Sequence, residues 1–228
     1  MINIQKSAKL VGLLFILGTV SGILSLNIVS ILNAPDYLIK LSENKTTLIM
    51  SALSVLTMGI ALSMMSVVLY PILKKYNKTL ALGAVIFRGV LEMASYLSIA
   101  ISWLLLLSLS EKYVLAGRPA TSDYILQGET LQNFAFIGGN IALGIVFSIG
   151  AIIIYYVFLK TKLLPTWLTL WGLGGAIIYL AYTILLIFGY TFEFLQYILA
   201  VQEMVMAVWL IVKGFNKDAA STMMTHTS

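Results

Sequence analysis

Six long apolar stretches limit the folds available to this chain more than any other feature of its sequence. Each holds at least about 18 residues with few charges, enough for a helix rising about 1.5 Å per residue to cross a hydrocarbon core of about 30 Å. The predicted spans are 9–32, 47–73, 79–108, 133–158, 166–190 and 194–212. The sequence therefore predicts an all-α bundle of six transmembrane helices.

The composition agrees with a membrane protein. Hydrophobic residues make up 60% of the 228 residues and charged residues only 10%, whereas about a quarter of the residues in a soluble domain are charged. No long linker or second composition class interrupts the chain. We therefore expect a single membrane domain over 1–228, which ends in a short polar tail at 215–228.

The charges in the loops predict the orientation, because Lys and Arg of short loops stay in the cytoplasm. The richer side would hold Lys6, Lys9, Lys74, Lys75, Lys78, Lys160, Lys162, Lys213 and Lys217. The other side would hold only Lys40, Lys45, Lys112 and Arg118. Both termini are therefore predicted to be cytoplasmic. The net charge of +5 is a topology signal that suits membrane lipids as partners, and no basic, aromatic-rich domain indicates nucleic-acid binding.

Residues needed for common enzyme chemistry are missing. The chain has no cysteine, and its one histidine is His226 in the predicted tail. Thiolate sites, haem ligation by histidine and a Ser-His pair inside the membrane therefore lack an essential residue. We expect no metal, no cofactor and no catalytic residue, and an enzyme acting on lipid is the least favoured class.

Two opposite charges stand within the apolar stretch ALGAVIFRGVLEM. Arg88 and Glu92 are four residues apart and share one helix face, with Tyr96 one turn further. Arg88 lies ten residues from Lys78, and Glu203 lies ten residues from Lys213, about 15 Å from the same membrane edge in each case. If the third and sixth helices are neighbours, Arg88 would bridge the two glutamates, with Gln202 or Tyr96 completing the hydrogen bonds.

This polar network has two interpretations. A charge in the bilayer costs at least about 2.5 kcal/mol, so the network should face the bundle interior. It would either bind or transport a small amphipathic molecule, a cation or a proton, or only fix helix packing in a scaffold or immunity-type accessory protein. Asn140 in the fourth span is a further candidate member, with an interhelical hydrogen bond as its expected role.

Smaller features predict local packing. Gly18 and Gly22 form a GxxxG strip, which favours close packing within the chain and would also allow a homodimer. The stretch NAPDYLIKLSENKTT is typical of either a short interfacial helix or a loop. The longest loop, 109–132, is predicted to be an ordinary solvated loop, with a partial lid over the bundle as the alternative.

Three blocks of the chain resemble a known bacterial family. LYPILKKYNKTLALGAVIFRGVLEM, LPTWLTLWGLGGA and QEMVMAVWLIVKGFN closely resemble recurrent blocks of the family called domain of unknown function 4386. The resemblance implies a six-helix integral protein of the bacterial cytoplasmic membrane, and it includes Arg88, Glu92 and Glu203. Family members often carry a proline shortly before the glutamate that matches Glu203, whereas this chain has YILAVQEM, which puts a kink in the sixth helix in doubt.

Overall fold

The computed structural model describes residues 3–119 and 123–225, and its regular elements in these ranges are all helical. Six helices are long and apolar enough to cross a membrane, which confirms the predicted fold class and suggests a multi-pass membrane protein. The helices are α1 (Ile4–Leu32), α2 (Tyr37–Glu43), α3 (Lys45–Leu73), α4 (Lys78–Leu115), α5 (Asp123–Thr161), α6 (Thr166–Ile187), α7 (Phe194–Val212) and α8 (Lys217–Thr225).

Six crossings bring the beginning of α1 and the end of α7 to the same side of the bundle, which we call the terminal side. The membrane helices form a closed ring, because each packs against the next in sequence and α1 also packs against α7. The third and sixth membrane helices, α4 and α7, are not among the closely packed pairs. The condition set for the bridge, that these two helices are neighbours, is therefore not met, and their side chains meet across the centre of the ring.

Helices α4 and α5 continue beyond the predicted spans, to Leu115 and from Asp123. The prediction of a long solvated loop at 109–132 is therefore wrong. Leu109 and Tyr113 are buried in a small cluster with Leu38 of α2. Apolar packing outside the ring thus keeps these segments helical where the sequence becomes more polar.

The stretch that was predicted as either a helix or a loop forms the helix α2. Its residues Leu38 and Leu41 are buried, and the Tyr37 hydroxyl donates to the Ile125 carbonyl, 3.4 Å away. The short helix therefore covers the ring on the side opposite the termini.

Gly18 and Gly22 let α1 approach α3 closely. A Cβ on Gly18 would lie 2.9 Å from Leu62 Cδ2, and one on Gly22 would lie 2.9 Å from Met58 Sδ. The small-residue strip is therefore used for packing within the chain. The homodimer stays a prediction, and it would need another surface because α3 covers this one.

Candidate functional site

Arg88 lies on a local irregularity of α4. Residues Ile86–Leu91 form one π-helical turn, in which backbone bonds run from residue i to i+5 and the regular helix widens. The Ser63 hydroxyl of α3 donates to the carbonyl oxygen of Gly89, 2.9 Å away, and so satisfies a backbone acceptor of this turn. The sequence argument assumed a regular helix here and missed the turn.

The predicted bridge between two glutamates is present at the centre of the ring. Arg88 Nη1 lies 3.3 Å from Glu92 Oε2, and Arg88 Nη2 lies 3.2 Å from Glu203 Oε1. The Arg88 and Glu92 side chains are each 1% exposed, whereas that of Glu203 is 14% exposed. We call Arg88, Glu92 and Glu203 the charged cluster.

Tyr96 joins this cluster as expected, because its hydroxyl donates to Glu92 Oε1 at 3.4 Å. Gln202 does not contact Arg88 by a hydrogen bond. Its Oε1 accepts from the Tyr155 hydroxyl at 2.6 Å, and its Nε2 donates to the Leu168 carbonyl at 3.0 Å. Gln202 therefore ties α7 to α5 and α6 beside the cluster, and the sequence offered no signal for Tyr155.

Asn140 lies apart from the cluster. It is exposed on α5, within a second π-helical turn at Ile137–Ala142. Its Nδ2 donates to the carbonyl of Phe136 in the same helix at 3.2 Å, so the expected interhelical bond is not made. Asn140 is twenty residues before Lys160, about 30 Å along a helix, which places it near the opposite edge of the membrane.

Aromatic rings and a glycine surround the arginine. Arg88 Cζ lies 4.2 Å from the ring centroid of Phe147 and 5.8 Å from that of Phe15, distances at which a cation is attracted to the ring face. A Cβ on Gly150 would collide with the Arg88 side chain. None of these three residues was expected, because the sequence does not show which apolar faces meet inside the ring.

A small cavity adjoins Arg88 and Glu203. The volume of this cavity is about 10 Å³, which is about the room that one water molecule needs. Met206, Leu210 and Phe158 extend its lining toward the terminal side. Glu203 is therefore the carboxylate of the cluster with space beside it.

The internal pairing of the cluster is incomplete. Arg88 Nε is buried and has no hydrogen-bond partner, and the same is true of Glu92 Oε2, which lies beside Arg88 Nη1 without an aligned hydrogen bond. Ion-pair distances of 3.2 to 3.5 Å also exceed the 2.7 to 2.9 Å of strong charge-assisted bonds.

A metal site has no support in the part of the chain that the structure describes. No three His, Cys, Asp or Glu residues there lie in a group that could hold a metal ion. His226 lies outside the described residues. The chemistry of the cluster is therefore that of two carboxyl groups held by one guanidinium.

One family model matches the chain. It is described as a domain of unknown function (DUF4386), and it covers residues 10–214, which include the whole charged cluster. No curated protein and no solved structure matches the chain.

Proposed function

The chain belongs to the family described as a domain of unknown function, DUF4386, and we propose that it binds and moves protons through the charged cluster. The observation that carries the proposal is the partial exposure of Glu203 beside a water-sized cavity, next to an arginine that it shares with the buried Glu92.

The charge balance supports a cationic ligand. Two ionised carboxylates and one guanidinium carry a net charge of −1, and one bound proton brings the cluster to neutrality. A neutral cluster costs less to bury in the membrane than a charged one. Protonation of Glu203 would also weaken its ion pair with Arg88, which would then remain paired with Glu92.

The size of the cavity favours a proton over the other ligands considered. Room for about one water molecule is too small for an amphipathic molecule in this conformation. A metal cation at Glu203 would lie beside the Arg88 guanidinium and be repelled by it. A proton needs no coordination shell and can arrive through a single water molecule.

The proposed route begins at Glu203, on the terminal side of the cluster. Arg88 stays charged and holds both carboxylates in place, so the proton would pass from Glu203 to Glu92 through a water molecule and not through the guanidinium. The Tyr96 hydroxyl bonded to Glu92 lies one turn further along α4 toward the opposite side. We also propose that the protein resides in a bacterial cytoplasmic membrane with its terminal side in the cytoplasm. The excess of lysines on that side supports this orientation.

The proposal is tested with purified protein in vesicles that contain a pH-sensitive dye. A potassium diffusion potential drives protons inward, and the initial rate of acidification is measured against protein-free vesicles. We expect the wild type to acidify the lumen and Glu203→Gln to lose this activity. Glu193→Gln is the matched control, because it makes the same change at an exposed glutamate before α7 and should retain the wild-type rate.

Two results would overturn the proposal. The first is a wild-type rate no higher than the leak of protein-free vesicles, and the second is a folded Glu203→Gln variant with the wild-type rate.

The tight packing of Arg88 against Phe147 and Gly150 favours a scaffold as the second candidate. A scaffold predicts no flux, and it predicts that replacing all three charges by apolar residues of similar size leaves a folded protein.

A further inference from the structure

The chain turns back beneath the ring after α7. Gly214 adopts a φ of 73°, a left-handed conformation that favours glycine, and the turn directs Phe215 into the interior. Phe215 is only 2% exposed. Its carbonyl accepts from Gln5 Nε2 at 2.7 Å, and the backbone N–H of Asn216 donates to the Leu163 carbonyl at 2.9 Å. The segment predicted as a polar tail is thus fixed to the bundle in its described part.

The Phe215 ring packs against Phe158, a residue of the cavity lining on the terminal side of Glu203. Its centroid lies 5.7 Å from that of Phe158, and Phe158 itself lines the cavity. Along α7, Met206 and Leu210 line the same cavity at positions progressively nearer the terminal side than Glu203. The aromatic pair therefore lies between the cavity and the water on that side.

Helix α8 extends this cover. Ala220 is buried, and Met223 lies together with Ile4 of α1 and Pro71 of α3 around a second apolar cavity. Helix α8 thus lies across the ends of α1 and α3. It is a nine-residue helix close to the end of the chain, and terminal segments of this kind are among those that open locally without global unfolding.

We propose that residues 214–225 form a plug that closes terminal-side access to Glu203, and that release of Phe215 opens the route. The inference rests on the proposed function, because it regulates access of water and protons to the same carboxylate. The plug separates the cavity from the terminal side in the present conformation, and a proton would reach Glu203 when the plug opens.

The test exploits the absence of cysteine from the natural chain. Ala151→Cys places a single thiol in the cavity lining at a position that is 2% exposed. The full-length protein in detergent micelles is treated with a small cationic methanethiosulfonate, and the rate of modification is followed by mass spectrometry. Detergent exposes both ends of the bundle, so the measurement does not depend on orientation.

We expect slow modification in the Ala151→Cys background and faster modification when Phe215→Ala is added. The increase should be on the order of 10- to 100-fold, the change in the opening equilibrium expected from losing one buried aromatic ring. Phe188→Ala is the matched control, because it removes an aromatic ring that is 72% exposed at the other end of the ring. It should leave the rate unchanged.

An unchanged rate in folded Phe215→Ala refutes the plug, as does fast modification of the background protein. If Phe215→Ala does not fold, Gln5→Ala replaces it, because this change removes the bond to the Phe215 carbonyl and leaves the ring in place. We then expect a several-fold increase, and no increase refutes the plug. The labelling does not require proton flux, so a released plug without flux refutes the proposed function alone.

Discussion

Removing the arginine from the charged cluster should cost the protein much of its stability. Arg88→Met keeps a long apolar side chain beside Phe147 but leaves Glu92 and Glu203 close together without their shared cation. Breaking a buried ion pair by removing one partner costs about 3 to 5 kcal/mol. At about 2 to 4 °C per kcal/mol for a chain of this size, the melting temperature should fall by about 6 to 20 °C.

The assay is thermal unfolding of the purified protein in a mild detergent, followed by circular dichroism. Arg118→Met is the matched control, because Arg118 is exposed and should change the melting temperature by less than about 2 °C, as surface substitutions do. The triple variant Arg88→Met, Glu92→Gln, Glu203→Gln should recover most of the loss, since it leaves no unpaired charge. An Arg88→Met protein that melts within about 2 °C of the wild type would refute the reasoning.

Two further predictions concern the packing around the cluster. Gly150→Ala should destabilise the protein by about 1 to 3 kcal/mol in the same melting assay, because the added methyl group collides with Arg88. Gly174→Ala, with nothing within 4 Å of its new Cβ, should be neutral or stabilising by up to about 1 kcal/mol, and equal effects of the two changes would contradict the packing argument. Gln202→Leu should cost about 1 to 3 kcal/mol, because it leaves the buried Tyr155 hydroxyl without its acceptor. Adding Tyr155→Phe should restore part of that loss, and no restoration would show that the hydrogen bond is not the cause.

The sequence predicted the ion pairs of the charged cluster but not the arrangement of the helices that carry them. Matching depth and helical spacing paired Arg88 with Glu92 and Glu203, and both pairs are present. The bridge was expected only if α4 and α7 are neighbours, whereas they face each other across the ring. The bridge forms without that contact because arginine is long and the membrane strongly disfavours an unpaired charge.

Gln202 and Asn140 make hydrogen bonds that the sequence did not predict. Both were expected in one network, but Gln202 bonds to Tyr155 and Leu168, and Asn140 bonds within its own helix. Periodicity gives the face that a residue occupies in a regular helix, and a π-helical turn changes that face. Asn140 lies in such a turn. The turn is defined by its backbone hydrogen bonds, which the sequence alone does not reveal.

The amino-acid sequence by itself determined that the chain forms six membrane helices and that its interior charges pair. Lipid cannot satisfy exposed backbone groups or isolated charges, so long apolar stretches become helices and buried ions seek partners whatever the packing. Only the tertiary structure decided the order of the ring, the aromatic surroundings of Arg88 and the position of Phe215 below the cavity. These depend on close approaches at single residues such as Gly150 and Gly214, which arise only when distant helices meet.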